Sequence, residues 1–197
     1  MPSVAKSTEM LFVNKTDFER FSAATGIETD SLRTWEGLFS ACYAYEEWTD
    51  SLTPDVPNDG KAFLVHDFHF NYFQVGVESL GTPFFNGDDI SFTPTFARVW
   101  QPYAKAAISG GLWLQGGYAT EPLRTGEAIA SVASSASVLY FTNEVIHTDN
   151  TVEHVEFDVM PCPTFSEGER LVMQRGAGIC TVKSTPEKEQ AAARFLK

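Results

Sequence analysis

The sequence predicts an α/β fold: a central mixed sheet flanked by helices, in one domain over residues 1–197. Two observations carry that prediction. Short apolar runs rich in β-branched and aromatic residues recur at 9–13, 62–65 and 128–132, and the stretches between them repeat apolar residues at helical spacing. Strands that alternate with helices are the pattern of a sheet covered by helices. The length agrees, since 197 residues with 43% apolar and 13% aromatic side chains suit one packed core better than two.

Taken in order, residues 9–13 read as a buried strand that Asn14 ends. Thr16, Asp17, Phe18 and Glu19 fit a capping box, which opens a short helix carrying Phe18 and Phe21 and closed by Gly26. Thr34 caps a second helix with Trp35, Leu38, Phe39, Cys42 and Tyr43 on one side. The Pro, Asn, Asp and Gly residues of 51–60 mark a surface loop. A strand over 62–65 runs out at His66 and Asp67, and a helix over 68–80 follows it directly, closed by Gly81.

Thr93 before Pro94 starts a helix whose apolar side includes Phe96, Val99, Trp100 and Tyr103, with Pro102 expected to kink it. A helical turn over 120–124 precedes the strand at 128–132, after which Ser134 and Ser135 cap a helix near 136–141. Residues 155–159 alternate as a strand and stop at Pro161, Cys162 and Pro163. Two more short strands are predicted at 171–173 and 178–182. Thr185, Pro186 and Glu187 then open a last helix with Ala191, Ala192, Phe195 and Leu196 on its apolar side.

Composition excludes several function classes. With 14 basic against 26 acidic residues the net charge is −12, and no basic stripe is set apart, so nucleic acid is not an expected partner. An anionic membrane surface is disfavoured on the same ground. No apolar run approaches the ~20 residues of a spanning helix, and the first residues carry no apolar signal-peptide core. Cys42, Cys162 and Cys180 are far apart without a C-x-x-C, so they read as buried thiols rather than a disulfide scaffold or a zinc site. An oxidising location would still allow one pair to close.

The best enzyme-like cluster is His66, Asp67 and His69, two imidazoles and a carboxylate at a strand end. It lacks the further ligands of a metal site, and neither a nucleophile elbow nor a phosphate loop occurs, so a small hydrolase or metal-dependent enzyme using these three residues is the alternative reading only. A second pattern is more general. Two strands end directly before helix starts, at 67–69 and 134–136, and ligands of α/β sheets gather at such carboxyl ends. The aromatics Phe68, Phe70 and Tyr72 could cover the face of a sugar there. On residues alone, they could equally be core, and the serines caps.

The order of segments resembles the second lobe of the family 1 extracellular solute-binding proteins of ABC importers, the maltose-binding and glycerol-3-phosphate-binding type. Residues 6–18 look like the stretch in which such chains cross into the second lobe. Arg33 to Leu38 is similar to the Pro-x-Thr-Trp-Glu-Glu-Leu helix start, and Gly126 to Ala130 to the Gly-Glu/Lys-Ala-Ala-Met strand. Phe157 to Pro163 resembles a strand ending in Pro-x-Pro. Gly176 to Cys180 resembles the Gly-Gly-x-x-x strand, and 183–196 the helix after it. The resemblance runs over nearly the whole chain.

It implies one lobe of a type II periplasmic-binding-protein fold that is not an enzyme, needs no cofactor or metal, and binds a sugar or polyol phosphate between two lobes for delivery to the ABC permease. The implied ligand contacts are Ser7 and Thr8 near the crossover, then Phe68, His69, Asn71 and Tyr72, then Ser134, Ser135 and Ala136, and finally Gly176 and Ala177. Ala136 stands where maltose-type relatives place a stacking Trp, which disfavours long oligosaccharides. The family implies an extracytoplasmic parent, in the periplasm or lipid-anchored, with a signal peptide, a first lobe and further C-terminal helices. The expectation is therefore an excised lobe that binds weakly alone.

Overall fold

Twelve residues, Ser3–Asn14, form β1, the strand on which the sheet is organised. The structure is a computed structural model and describes Ser3 to Leu196. Only the second half of β1 carries the apolar signature read from the sequence. Its first half is mostly polar and pairs through the backbone, Lys6 opposite Gly176 and Ser7 opposite Arg175 on β10 (Gln174–Gly178). Hydropathy cannot report such pairing.

Asn14 ends β1 and also caps α1 (Lys15–Thr25), its Oδ1 accepting from the Asp17 N–H at 3.2 Å. The expected Thr16 capping box is therefore corrected, the cap lying two residues earlier at Asn14: the Thr16 hydroxyl instead accepts from the Glu156 N–H. Gly26, at φ 77°, closes the helix in the left-handed conformation that costs glycine least. A 3-10 turn over Thr29–Arg33 leads to α2 (Trp35–Ser51), where Thr34 accepts from the Gly37 N–H as expected. Trp35, Leu38, Phe39 and Cys42 are buried, whereas Tyr43 is only half-buried and donates to the Pro102 carbonyl.

All five residues of β2 (Ala62–His66) are buried. After α3 (His69–Ser79) a small hairpin, β3 (Phe85–Asn86) and β4 (Asp89–Ile90), precedes α4 (Pro94–Ile108), which runs through Pro102. Then follow β5 (Leu112–Trp113), α5 (Thr120–Thr125) and β6 (Ala128–Ser134). Ser134 caps a 3-10 turn, Ser135–Leu139, in place of the expected α-helix. A second hairpin, β7 (Glu144–Ile146) and β8 (Val152–His154), is followed by β9 (Phe157–Pro161).

The main sheet has the order β10-β1-β6-β2-β5, with β9 also on β1. β6, β2 and β5 are parallel to one another, and β1 is antiparallel to β6, β9 and β10, so the sheet is mixed. Side-chain alternation gives it two packed faces. Leu11 and Val13 enter the larger cluster with Phe21, Leu38, Phe39 and Tyr72, whereas Phe12 enters a smaller one with Val65, Leu123 and Ala133. The α/β class and the helix-flanked mixed sheet read from the sequence are found.

Two expectations near the end are corrected, and the last helix is found. Residues 171–173 form no strand. The strand expected at 178–182 lies four residues earlier, because pairing with β1 selects the glycine-containing Gln174–Gly178. The apolar side of α6 (Pro186–Phe195) is not buried, and Phe195 is 82% exposed. Among the described residues no helix is long and apolar enough to cross a membrane.

Candidate functional site: a cleft at the strand ends

Parallel pairing of β2 with β6, His66 opposite Val132, brings the carboxyl ends of both strands to one edge. Asp67 and Phe68 follow one end, and Ser134 and Ser135 lie at the other. The Asp67 N–H donates to the Val132 carbonyl at 3.0 Å and holds the first loop to β6. Antiparallel β1 sets Glu9 opposite Ser134, so its polar half starts at the same edge. There Ser134 Oγ donates to Ser7 Oγ at 2.9 Å, and the Thr8 N–H donates to Ser135 Oγ at 3.3 Å.

A cleft of about 730 Å³ opens at this edge, within the range of small-ligand sites. Phe68 and Ser134 line it together with Asp67 and Arg175. Tyr118 and Glu121, from the loop and first turn before β6, line it too, as does Tyr140 after the 3-10 turn. The Arg175 guanidinium lies 4.1 Å from the centre of the Phe68 ring and 3.0 Å from the Asp67 carboxylate. Glu9, only 4% exposed, approaches the same guanidinium at 3.9 Å and accepts from Asn71 Nδ2 at 2.6 Å. Burial raises the Glu9 carboxyl above its ordinary value, against the opposing pull of the Asn71 hydrogen bond and the Arg175 charge.

The expected contacts thus separate. Phe68 and Ser134 face the cleft, and Ser7 and Ser135 brace its edge. Thr8 lines a neighbouring pocket of about 340 Å³ with Arg33, Cys162 and Arg170, and its hydroxyl is buried without a partner. Asn71 supports the cleft through Glu9. His69 is turned inward, with Nδ1 hydrogen-bonded to the Tyr103 hydroxyl at 3.0 Å. Tyr72 is corrected to a core residue: at 2% exposure it packs on Trp35 and donates to the Val99 carbonyl. The reason is helical phase: within α3 Phe70 is turned outward and Tyr72 inward onto Trp35 and Phe39, while Phe68 precedes the helix as its cap. Ala136 is exposed and donates its N–H to Ser134 Oγ. Gly176 and Ala177 are exposed on β10, and neither lines the cleft; the neighbouring Arg175 does.

The cluster proposed for an enzyme does not converge on one space. Asp67 faces the cleft, but His66 is buried against Trp35 and accepts from the Phe68 N–H through Nδ1. Burial, together with the charges of His69 and Arg175, lowers the His66 imidazole to about 3. Among the described residues no group of three His, Cys, Asp or Glu is placed to hold a metal ion. The cleft residues that sequence reasoning missed are Arg175, Tyr118, Glu121 and Tyr140. Only Arg175 had a signal, a lone cation directly before a glycine already singled out.

Comparison with known proteins agrees with this architecture. Over residues 1–197 the sequence matches the family described as bacterial extracellular solute-binding protein, and the chain belongs to that family. Its fold is shared with UgpB from Mycobacterium tuberculosis in complex with glycerophosphocholine (TM-score 0.70, 17% identity, 98% of this chain and 46% of that one). It is shared also with a cyclic alpha-maltosyl-1,6-maltose binding protein from Arthrobacter globiformis (0.62, 20%, 98% and 46%) and with maltose-bound MalE3 of T. maritima (0.64, 16%, 98% and 48%). The chain therefore spans about half the length of these structures. A search of curated protein sequences returned no match.

Proposed function

We propose that this chain is the second lobe of an extracytoplasmic receptor that captures a sugar or polyol derivative between two lobes and delivers it to an ABC permease. The lobe expected before it supplies the facing half of the site, and the parent works in the periplasm or lipid-anchored at the cell surface. The observation that supports this most is the convergence of three chain segments, after β2, after β6 and on β10, on one open cleft. Hydroxyls of Ser7, Ser134 and Ser135 lie at its edge, and Phe68 offers an aromatic ring, the mixture that sugar-like solutes require. The bound structures named above, of proteins with the same fold, favour the same solute class. Convergence of His66, Asp67 and His69 is lacking, so nothing favours the enzyme reading.

Titration of the isotope-labelled chain with maltose, mannitol and glycerol 3-phosphate, followed by NMR, tests the proposal. The expected result is weak, saturable shifts confined to Phe68, Ser134 and their neighbours, because one lobe supplies only half the contacts. Shifts elsewhere, or none with any solute, would overturn the site. Sub-micromolar binding by this lobe alone would overturn its role as half of a clamp.

A further inference from the structure

We infer that the corner formed by the Phe68 ring and the Asp67 carboxylate is a cation subsite, which Arg175 fills here and which an ammonium or guanidinium group of the captured solute takes in its place. The inference rests on the proposed capture role of the cleft and names the charge class of what is captured.

The corner already displays its chemistry. A guanidinium lies over the face of Phe68 at 4.1 Å with Nη1 at 3.0 Å from Asp67, which is how aromatic faces and carboxylates jointly hold organic cations. That guanidinium comes from β10, far along the chain, so the corner is preformed by the loop after β2 and Arg175 is its occupant. An uncharged group that displaced Arg175 would leave the Asp67 carboxylate without its partner, and truncating a half-buried pair in this way is costly. A cation replaces Arg175 like for like. The displaced guanidinium has a second carboxylate within reach, Glu9 at 3.9 Å.

The rest of the cleft has the same bias. Among the described residues its charged lining is Asp67 and Glu121 against Arg175, and that guanidinium is engaged by Asp67. A phosphate entering here would meet two carboxylates and no uncommitted positive charge, in a chain of net charge −12. Tyr118 and Tyr140, 79% and 71% exposed, put two more aromatic rings on the cleft. Aromatic faces beside carboxylates attract cations and do nothing for phosphates. Of the two solutes weighed from sequence, the phosphate ester is thereby disfavoured.

The test uses choline and its uncharged isostere 3,3-dimethylbutan-1-ol, titrated by NMR into the parent chain, Arg175→Gln and Arg175→Gln/Asp67→Asn, with maltose and glycerol 3-phosphate alongside. Choline is expected to shift the Phe68 ring signals of the parent, and to do so at about tenfold lower concentration in Arg175→Gln, where the occupant is gone. The added Asp67→Asn should reverse most of that gain, and the isosteric alcohol should produce no comparable shift. Should either variant fail to fold, the parent decides: choline must move Phe68 where the alcohol does not, and at lower concentration than glycerol 3-phosphate. Equal responses to choline and the alcohol, or stronger binding of glycerol 3-phosphate, would overturn the inference. If maltose moves Ser134 and Tyr140 while choline leaves Phe68 unmoved, the cation subsite falls and the capture role stands. If no probe moves any cleft residue, both fall.

Discussion

Ser134 Oγ and Ser7 Oγ, 127 residues apart in sequence, are hydrogen-bonded at 2.9 Å, and this bond ties the end of β6 to the polar half of β1. Ser134 also accepts from the Ala136 N–H and so caps the turn that carries Tyr140 to the cleft. Ser134→Ala removes both bonds. The expected loss is about 1 kcal/mol of stability, read as a lower urea midpoint at unchanged slope.

Tyr72 tests the boundary between core and site. Its hydroxyl donates to the Val99 carbonyl at 2.8 Å in a buried environment. Tyr72→Phe is expected to cost about 1 kcal/mol and to leave the solute-induced shifts at Phe68 unchanged. A change in solute response without a change in stability would return Tyr72 to the site.

Gly176 lies where β10 crosses β1. A Cβ built there overlaps the Ala5 carbonyl oxygen, a backbone atom that cannot step aside. Gly176→Ala should therefore weaken the ribbon by about 2 kcal/mol, with faster amide exchange at Lys6 and Ala177 than in the core strands.

The burial of His66 is expected to make the fold less stable in acid. Its folded-state value, about 3, lies below the ordinary one of 6.5, so the unfolded chain takes up the proton first. Its contribution is complete above about pH 6.5 and is lost as pH falls toward about 3. Glu9 opposes it: with a raised folded-state value, it makes the fold more stable as pH falls through that value. Unfolding midpoints measured from pH 7 to 4 should fall less steeply in His66→Asn than in the parent, and more steeply in Glu9→Gln.

The thiols differ by burial. Burial pushes Cys162 up to about 12 and raises Cys42 far above its ordinary range, whereas Cys180 is exposed. A thiol reagent at neutral pH is expected to label Cys180 fastest in the native protein, the half-buried Cys162 more slowly, and Cys42 only after unfolding.

The sequence by itself determined the α/β class, the helices opened by Thr34 and Thr93, the buried strands at 62–65 and 128–132, and the two strand ends that carry Phe68 and Ser134. Each is written in local periodicity, caps and apolar runs, which act over a few residues. Only the tertiary structure decided what closes the cleft. The polar half of β1 finds β10 through backbone bonds that leave no hydropathy pattern, and that pairing delivers Arg175 to Asp67 and Phe68 from 108 residues away. Likewise, Tyr72 is core and Phe70 is not because the phase of α3 is set by packing, and Tyr118, Glu121 and Tyr140 meet only once β6 is in place between their segments. Contacts between residues distant in sequence depend on how the chain closes, which local pattern does not encode.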